Sequence, residues 1–361
     1  MAEIVVVTWD GGGNVPPAFA IARELAARGH AIRVLGHRTQ RAAVEAAGFT
    51  AVAVREAREF SAGGTHTDRE LVATFGDRGL GRDLLAELAR QPADLVLVDA
   101  LMLGALDAAR ASGTPYAVLE HFFDAYFQGL LRGPLGLVLR AQGLRPGRSV
   151  REAAVRVLTS LPALDPVRPG GTVRQVGPVV AWNPRADGDP TVLVSLSTFG
   201  YAGMAGRLQA VLDACADLPA RVLATTGPHV DPRELRAPDG VEIHRYVPHA
   251  ELMPGVSVFV GHGGHGSAMT ALAHDIPVVV LPMDPRSDHR TVGSSIERAG
   301  AGRLVEGPDA VGRAVRALLV EGPHRAAAAR LGGAVRSCPG AQGGADALEA
   351  ALPAPLDRRN G

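Results

Sequence analysis

The chain has 361 residues, more than one hydrophobic core usually serves, so two domains are expected. Its 37 basic residues, every one an arginine, balance 37 acidic ones; without a basic surplus, nucleic-acid binding is excluded as the main task, and without lysine so are a Schiff base and a P-loop. The 2 cysteines, Cys215 and Cys338, make neither a disulfide framework nor a zinc site and fit a reducing cytosol.

The opening Met1-Ala2-Glu3-Ile4 lacks the basic region of a signal peptide, and Trp9-Asp10 interrupts the apolar run. Ile4 to Thr8 reads as a buried strand, followed by a glycine-rich turn and a helix from Pro16 to Ala27. Pro16 and Pro17 suit a first helical turn, where the missing N–H groups would be unpaired anyway. Ala31 to Leu35 and Thr50 to Val54 follow as strands with a helix between them. Leu95 to Val98 is a strand ending in Asp99, and Tyr116 to Leu119 is the next. The apolar stretch from Phe122 to Leu139 has helical spacing; it reads as core, with a part able to line a pocket for a flat apolar molecule.

From about Arg145 to Pro190 the pattern weakens, and Arg185 to Pro190 is the best linker. Alternation resumes with strands at Val192 to Ser195, Arg221 to Ala224, Val241 to His244, Val256 to Val260 and Pro277 to Leu281. Helices fall between them, at Met204 to Ala216 and Ser267 to Ala273 among others, and Ala341 to Leu352 reads as a tail helix. Strands alternating with helices imply parallel sheets wrapped on both faces, and two such units place a ligand cleft between them. The expected division is 1–184, 185–340, and a tail over 341–361 packing back on the first domain. No run of about 18 uncharged apolar residues occurs, so no spanning helix is expected.

The richest motif is Gly261-His262-Gly263-Gly264-His265-Gly266-Ser267, entered from a strand and leading into a helix. That geometry offers free backbone N–H groups to an anion, and glycine lets the backbone approach phosphate closely. Ser267 is expected to cap the helix and donate its hydroxyl, and His262 to donate an imidazole N–H. The run then continues through Ala271-Leu272-Ala273, Ile276-Pro277, Leu281-Pro282 and Asp288-His289. This ordered set resembles the donor-binding signature of family 1 glycosyltransferases, which have the GT-B fold of two Rossmann-like domains, and is most similar to those of bacterial natural-product biosynthesis.

The resemblance implies an α/β GT-B protein in which His262, Gly264 and Ser267 hold the diphosphate of a UDP- or dTDP-sugar. Tyr246-Val247-Pro248-His249 looks like the segment that holds the base, with Tyr246 stacking on the pyrimidine and Val247 meeting its edge. Val194-Ser195-Leu196-Ser197-Thr198 looks like the strand end facing the pyrophosphate. Asp288 would accept hydrogen bonds from sugar hydroxyls; His289 stands where the family has glutamine, and a small insertion separates Asp288 from Pro282. Taken singly, His249 and His289 read as surface or capping residues.

Trp9 to Pro17 resembles the family's acceptor loop, where a histidine takes the acceptor proton and an aspartate at a later strand end orients it. Asp99 holds the aspartate's place, but Asn14 holds the histidine's, and an amide accepts no proton near neutral pH. Asp99 acting directly or through water, Asp10 on the same loop, His121 reaching in from the side, or an already acidic acceptor would each fill the gap. The preferred reading is Asp99 with Asn14 orienting, and Trp9, His121 and Phe122 are the candidate acceptor contacts. An NAD site at the first loop is disfavoured, since Gly11, Gly13 and Pro16 break the G-x-G-x-x-G pattern.

The expectation is therefore an inverting, metal-independent hexosyltransferase, cytoplasmic and without a cofactor, serving a hydrophobic small-molecule acceptor. A nucleotide-binding helper of another transferase and a nucleotide-sugar epimerase are the alternatives.

Overall fold

The computed structural model describes residues 1–353 other than 169, 187, 198 and 321. The first half builds seven strands: β1 (Glu3–Val7), β2 (Ala31–Leu35), β3 (Thr50–Ala51), β4 (Leu95–Asp99), β5 (Tyr116–Glu120), β6 (Val155–Leu158) and β7 (Val173–Gln175). They pair in parallel in the order β3-β2-β1-β4-β5-β6-β7. The second half builds β8 (Thr191–Ser195), β9 (Arg221–Thr225), β10 (Val241–His244), β11 (Val258–Gly261), β12 (Val278–Val280) and β13 (Gly302–Leu304). These are also parallel, in the order β10-β9-β8-β11-β12-β13. Both orders reverse direction beside their first strand, and ligands of such sheets bind at that switch point, beyond the strands' carboxyl ends.

Side-chain alternation explains why both sheets are covered on both faces. In β1, Val5 and Val7 enter one core while Ile4 and Val6 enter the opposite one. In β8, Leu193 faces one core while Val192 and Val194 face the other. Strands buried on both faces are near-continuous Val, Ile and Leu, which is how they read in the sequence.

Two regions of the first half depart from expectation. The stretch 145–190 contains β6 and β7, whose short length and, in β7, polar and partly exposed residues weaken the alternation. The third strand is cut to Thr50–Ala51, because this edge strand has only β2 to pair with. The segment after it is irregular, and carboxylates satisfy its backbone: Asp83 accepts from the amides of Arg55, Glu56 and Ala57, and Asp77 from that of Arg58.

The tail helix Gly340–Glu349 crosses to the first domain and packs on helix Val15–Ala27. Gly344 permits this approach, since a Cβ there would lie 2.8 Å from Ile21. Arg28 reaches Asp346 at 2.6 Å and Glu349 at 2.8 Å, and His30 lies 2.9 Å from Glu349. No helix among the described residues is long and apolar enough to cross a membrane.

Candidate active site

A cleft of about 1370 Å³ lies where the two switch points face each other. Its second-domain wall is the turn after β11. Gly263 has φ +92°, and a Cβ there would meet the Val280 side chain and the His289 carbonyl within 2.8 Å. A Cβ at Gly264 would lie 2.3 Å from His262 Nε2. Gly263 therefore requires glycine for its backbone angle, and a side chain at Gly264 would displace the adjacent imidazole. The helix that follows spans His265–Ala273, with Gly264 as its N-cap and no side-chain cap. Ser267 is thus its third residue and does not cap it, contrary to expectation; helix formation simply begins two residues earlier.

Imidazoles crowd this wall. His262 and His289 meet edge to face at 4.6 Å, and His262 Nδ1 is buried without a partner. Burial holds His262 well below the ordinary imidazole range, and the neighbouring His289 and His249 add to the effect. Burial likewise lowers His289 to about 4, with Asp284 opposing, and His265 to about 3. His289 is a buried cleft residue 3.4 Å from the Tyr201 hydroxyl, and His249 lines the cleft with Nε2 3.0 Å from Ser195 Oγ. Reading either histidine as a surface or capping residue is therefore corrected: their elements, far apart in sequence, converge on one turn.

Asp288 opens helix His289–Arg298 and lines the cleft. Burial raises its carboxyl to about 6, with His121 across the cleft opposing. Tyr246 is 68 % exposed, and neither it nor Val247 lines the cleft. Thr198 lies outside the described residues, while its neighbours Ser195 and Ser197 line the cleft. Arg286 is the one guanidinium among the described lining residues, and it is engaged by Asp284 and by Asp68 at 2.6 Å. An anion entering here meets amides and neutral imidazoles rather than free side-chain cations.

The first-domain wall is apolar. Trp9, Phe75, Phe122, Tyr126, Leu130 and Val138 line it, so the pocket-lining part of the Phe122 to Leu139 stretch is real. The domains also touch above the cleft: His66 stacks on Phe60 at 4.3 Å and packs near Phe199, and the Gly200 amide donates to the Ala62 carbonyl. The Tyr126 hydroxyl donates to the Arg286 carbonyl at 2.7 Å. The roles of Phe60, His66, Tyr201 and Arg286 were not anticipated; the signal available was the aromatic pair flanking Gly200 just beyond β8.

At the floor, Asp99 ends β4 and is fully buried. Its Oδ1 accepts from the Leu101 amide at 2.9 Å and its Oδ2 from Asn14 Nδ2 at 3.1 Å. Asn14 is the N-cap of helix Val15–Ala27 yet makes no capping bond. An N-cap side chain bonds the second or third helical N–H, and here those positions are Pro16 and Pro17, which have none. The Asn14 oxygen thus finds no amide to cap, and its Nδ2 donates to Asp99. His121, the first residue beyond β5, places Nε2 3.2 Å from Asp99 Oδ2, an ion-pair distance without hydrogen-bond alignment. Asp10 is corrected: it accepts from Thr39 Oγ1 at 2.9 Å and does not line the cleft, because its loop turns that carboxylate outward.

Residues 209–351 match the family model described as erythromycin biosynthesis protein CIII-like, C-terminal domain. Over 91% of this chain and 94% of the relative, the sequence is 29% identical to 4'-demethylrebeccamycin synthase of Lentzea aerocolonigenes. A crystal structure of the glycotransferase of kitacinnamycin superposes with TM-score 0.80 at 23% identity, covering 98% of this chain and 99% of the other. That of glycosyltransferase VinC in complex with dTDP gives TM-score 0.70 at 20% identity, covering 97% and 99%. The two structures establish the architecture, and the family model matches most of the second domain. The chain has the GT-B fold, its residues 209–351 match the erythromycin CIII-like C-terminal domain, and its relatives are of the natural-product glycosyltransferase type.

Proposed function

We propose that the protein transfers a sugar, with inversion, from a pyrimidine nucleoside-diphosphate sugar to a hydrophobic small-molecule acceptor in the cytosol. The supporting observation is that one cleft joins an amide-and-imidazole wall from the second domain to an apolar wall from the first. Diphosphate oxygens would take hydrogen bonds from His262 and from the amides opening helix His265–Ala273, with Ser267 adding a hydroxyl. Asp288 would accept from the sugar hydroxyls. Tyr246 would stack on the base, and Val247 would meet the base edge through its backbone. That VinC is described with dTDP bound supports a pyrimidine nucleotide.

The acceptor and the leaving diphosphate then lie on opposite sides of the anomeric carbon, which suits an in-line displacement and inversion. Because amides and imidazoles meet the leaving diphosphate, the reaction is expected to need no divalent metal, and excess EDTA should leave the rate unchanged. The carrying test is thermal stabilisation by dTDP, UDP and GDP. The pyrimidine diphosphates should raise the melting temperature, and His262→Ala should remove most of that rise; equal stabilisation by GDP would reject the pyrimidine assignment. Release of nucleoside diphosphate by the isolated chain with an acceptor would exclude a helper role, and an unchanged donor sugar would exclude epimerisation.

A further inference from the structure

Strand order sets an unexpected pair at the floor of the cleft. β4 and β5 are adjacent and parallel, with Asp99 in register with Leu119. The chain leaving β5 therefore carries His121 past the carboxylate that ends β4, although 22 positions separate them. Asn14 and the Leu101 amide fix that carboxylate from the other sides. His121 packs edge to face on Phe122 at 4.6 Å and lines the cleft. Its Nε2 is turned inward, against Asp99, which leaves Nδ1 as the nitrogen available to the cleft.

We propose that His121 is the general base of the transfer reaction, oriented by Asp99, so that the Asp–His pair is rebuilt from β5 where Asn14 stands in the first loop. The inference rests on the transferase reading and deepens it. Once the ring is in line, Asp99 accepts from Nε2–H and fixes the tautomer in which Nδ1 carries the lone pair. Nδ1 takes the acceptor's hydroxyl proton as its oxygen forms a bond to the anomeric carbon. The bond from that carbon to the diphosphate oxygen breaks, and its electron pair leaves on the diphosphate. The imidazolium formed is balanced by Asp99, and its proton passes afterwards to solvent or to the departing diphosphate. The titratable groups facing His121 are Asp99 from its own domain, and Asp288 and His265 from the other. An acceptor seated against Trp9 and Phe122 would bring the ring into line; such bonds are commonly loose until the reactants are bound.

The test uses full-length protein, dTDP-glucose as donor, and three acceptors of falling acidity: 4-nitrophenol, 2-naphthol and 2-naphthalenemethanol, with water (donor hydrolysis) as a fourth. His121→Gln should lower kcat/KM for the alcohol and for water by about 10²- to 10⁴-fold. It should cost far less with 4-nitrophenol, which ionises unaided, and it should abolish the ascending limb of the pH profile. Added imidazole should restore part of the rate. Asp99→Asn should match that loss, and the double variant should be no worse than either, as for residues acting as a unit. His121→Gln within about threefold of the parent on every acceptor, or an equal loss on all of them with the pH profile unchanged, would overturn the proposal. Thermal stabilisation by dTDP separates the two levels: its retention in His121→Gln shows an intact donor site, and its absence in the parent protein would sink the transferase reading itself.

Discussion

Alanine at Gly264 would set a methyl group 2.3 Å from His262 Nε2, so the imidazole or the helix start must move. Overpacking of this kind costs about 1–3 kcal/mol. If the displaced group is the one that meets diphosphate, Gly264→Ala should weaken dTDP binding by about 10- to 100-fold in calorimetry while the folded state persists. Unchanged affinity would mean that the turn does not touch the nucleotide. Asn14 works by a different logic. Its Nδ2 donates to Asp99, while Pro16 and Pro17 offer its oxygen no amide to cap. Asn14→Ala should therefore destabilise the fold by about 1–3 kcal/mol, the cost of leaving a buried acceptor underserved, measurable by urea denaturation.

The tail helix Gly340–Glu349 is the clearest case of an element whose placement depends on one small residue. It lies against helix Val15–Ala27 because Gly344 has no side chain to meet Ile21. Gly344→Leu should lower the melting temperature, with about 1–3 kcal/mol lost to overpacking. Arg28→Ala should cost less, since its partners Asp346 and Glu349 lie toward solvent, where such pairs add little. The reverse ranking would show that charge rather than shape docks the helix. The turn after β11 and the loop after β4 owe their positions to strand pairing, which is why both open on the cleft.

Across the whole molecule, buried ionisable groups set a stability optimum. His265 and His289 are held to about 3 and about 4 by burial, and burial also holds His262 well below the ordinary imidazole range. An unfolded histidine titrates near about 6.5, so below that pH the unfolded chain binds protons that the native one refuses. Stability then falls with pH, by about 1.4 kcal/mol per unit for each such group, down to its native value. Glu120 acts oppositely. Burial pushes it up to about 8 despite Arg156 beside it, so the native state keeps a proton that the unfolded carboxylate loses, and stability declines as pH rises toward 8. Asp288, raised to about 6, adds the same sense at lower pH. The histidines outnumber the carboxylates, so the melting temperature should peak near neutrality and fall on the acid side. His289→Gln should flatten the acid limb; a melting temperature still climbing at pH 5 would contradict this account.

Local physics made much of this legible in advance. Uninterrupted Val and Leu runs announce strands buried on both faces, glycines before Ser267 announce a turn that must approach something closely, and Asp99 stands out as a carboxylate at a strand end. Other features depend on neighbours that chain order does not reveal. The two strands between 145 and 190 are too short or too exposed for their own periodicity, and need a sheet edge to form against. Prolines offer Asn14 no amide to cap and a loop turns Asp10 outward, yet both residues sit on the same few positions of sequence. His121 meets Asp99 only because two parallel strands lie side by side, and His262 meets His289 only because a helix start and a glycine turn are packed together. Residue type and spacing determined the elements and the two-domain plan; which side chains share the cleft was decided by strand order and packing, since those contacts join positions tens of residues apart.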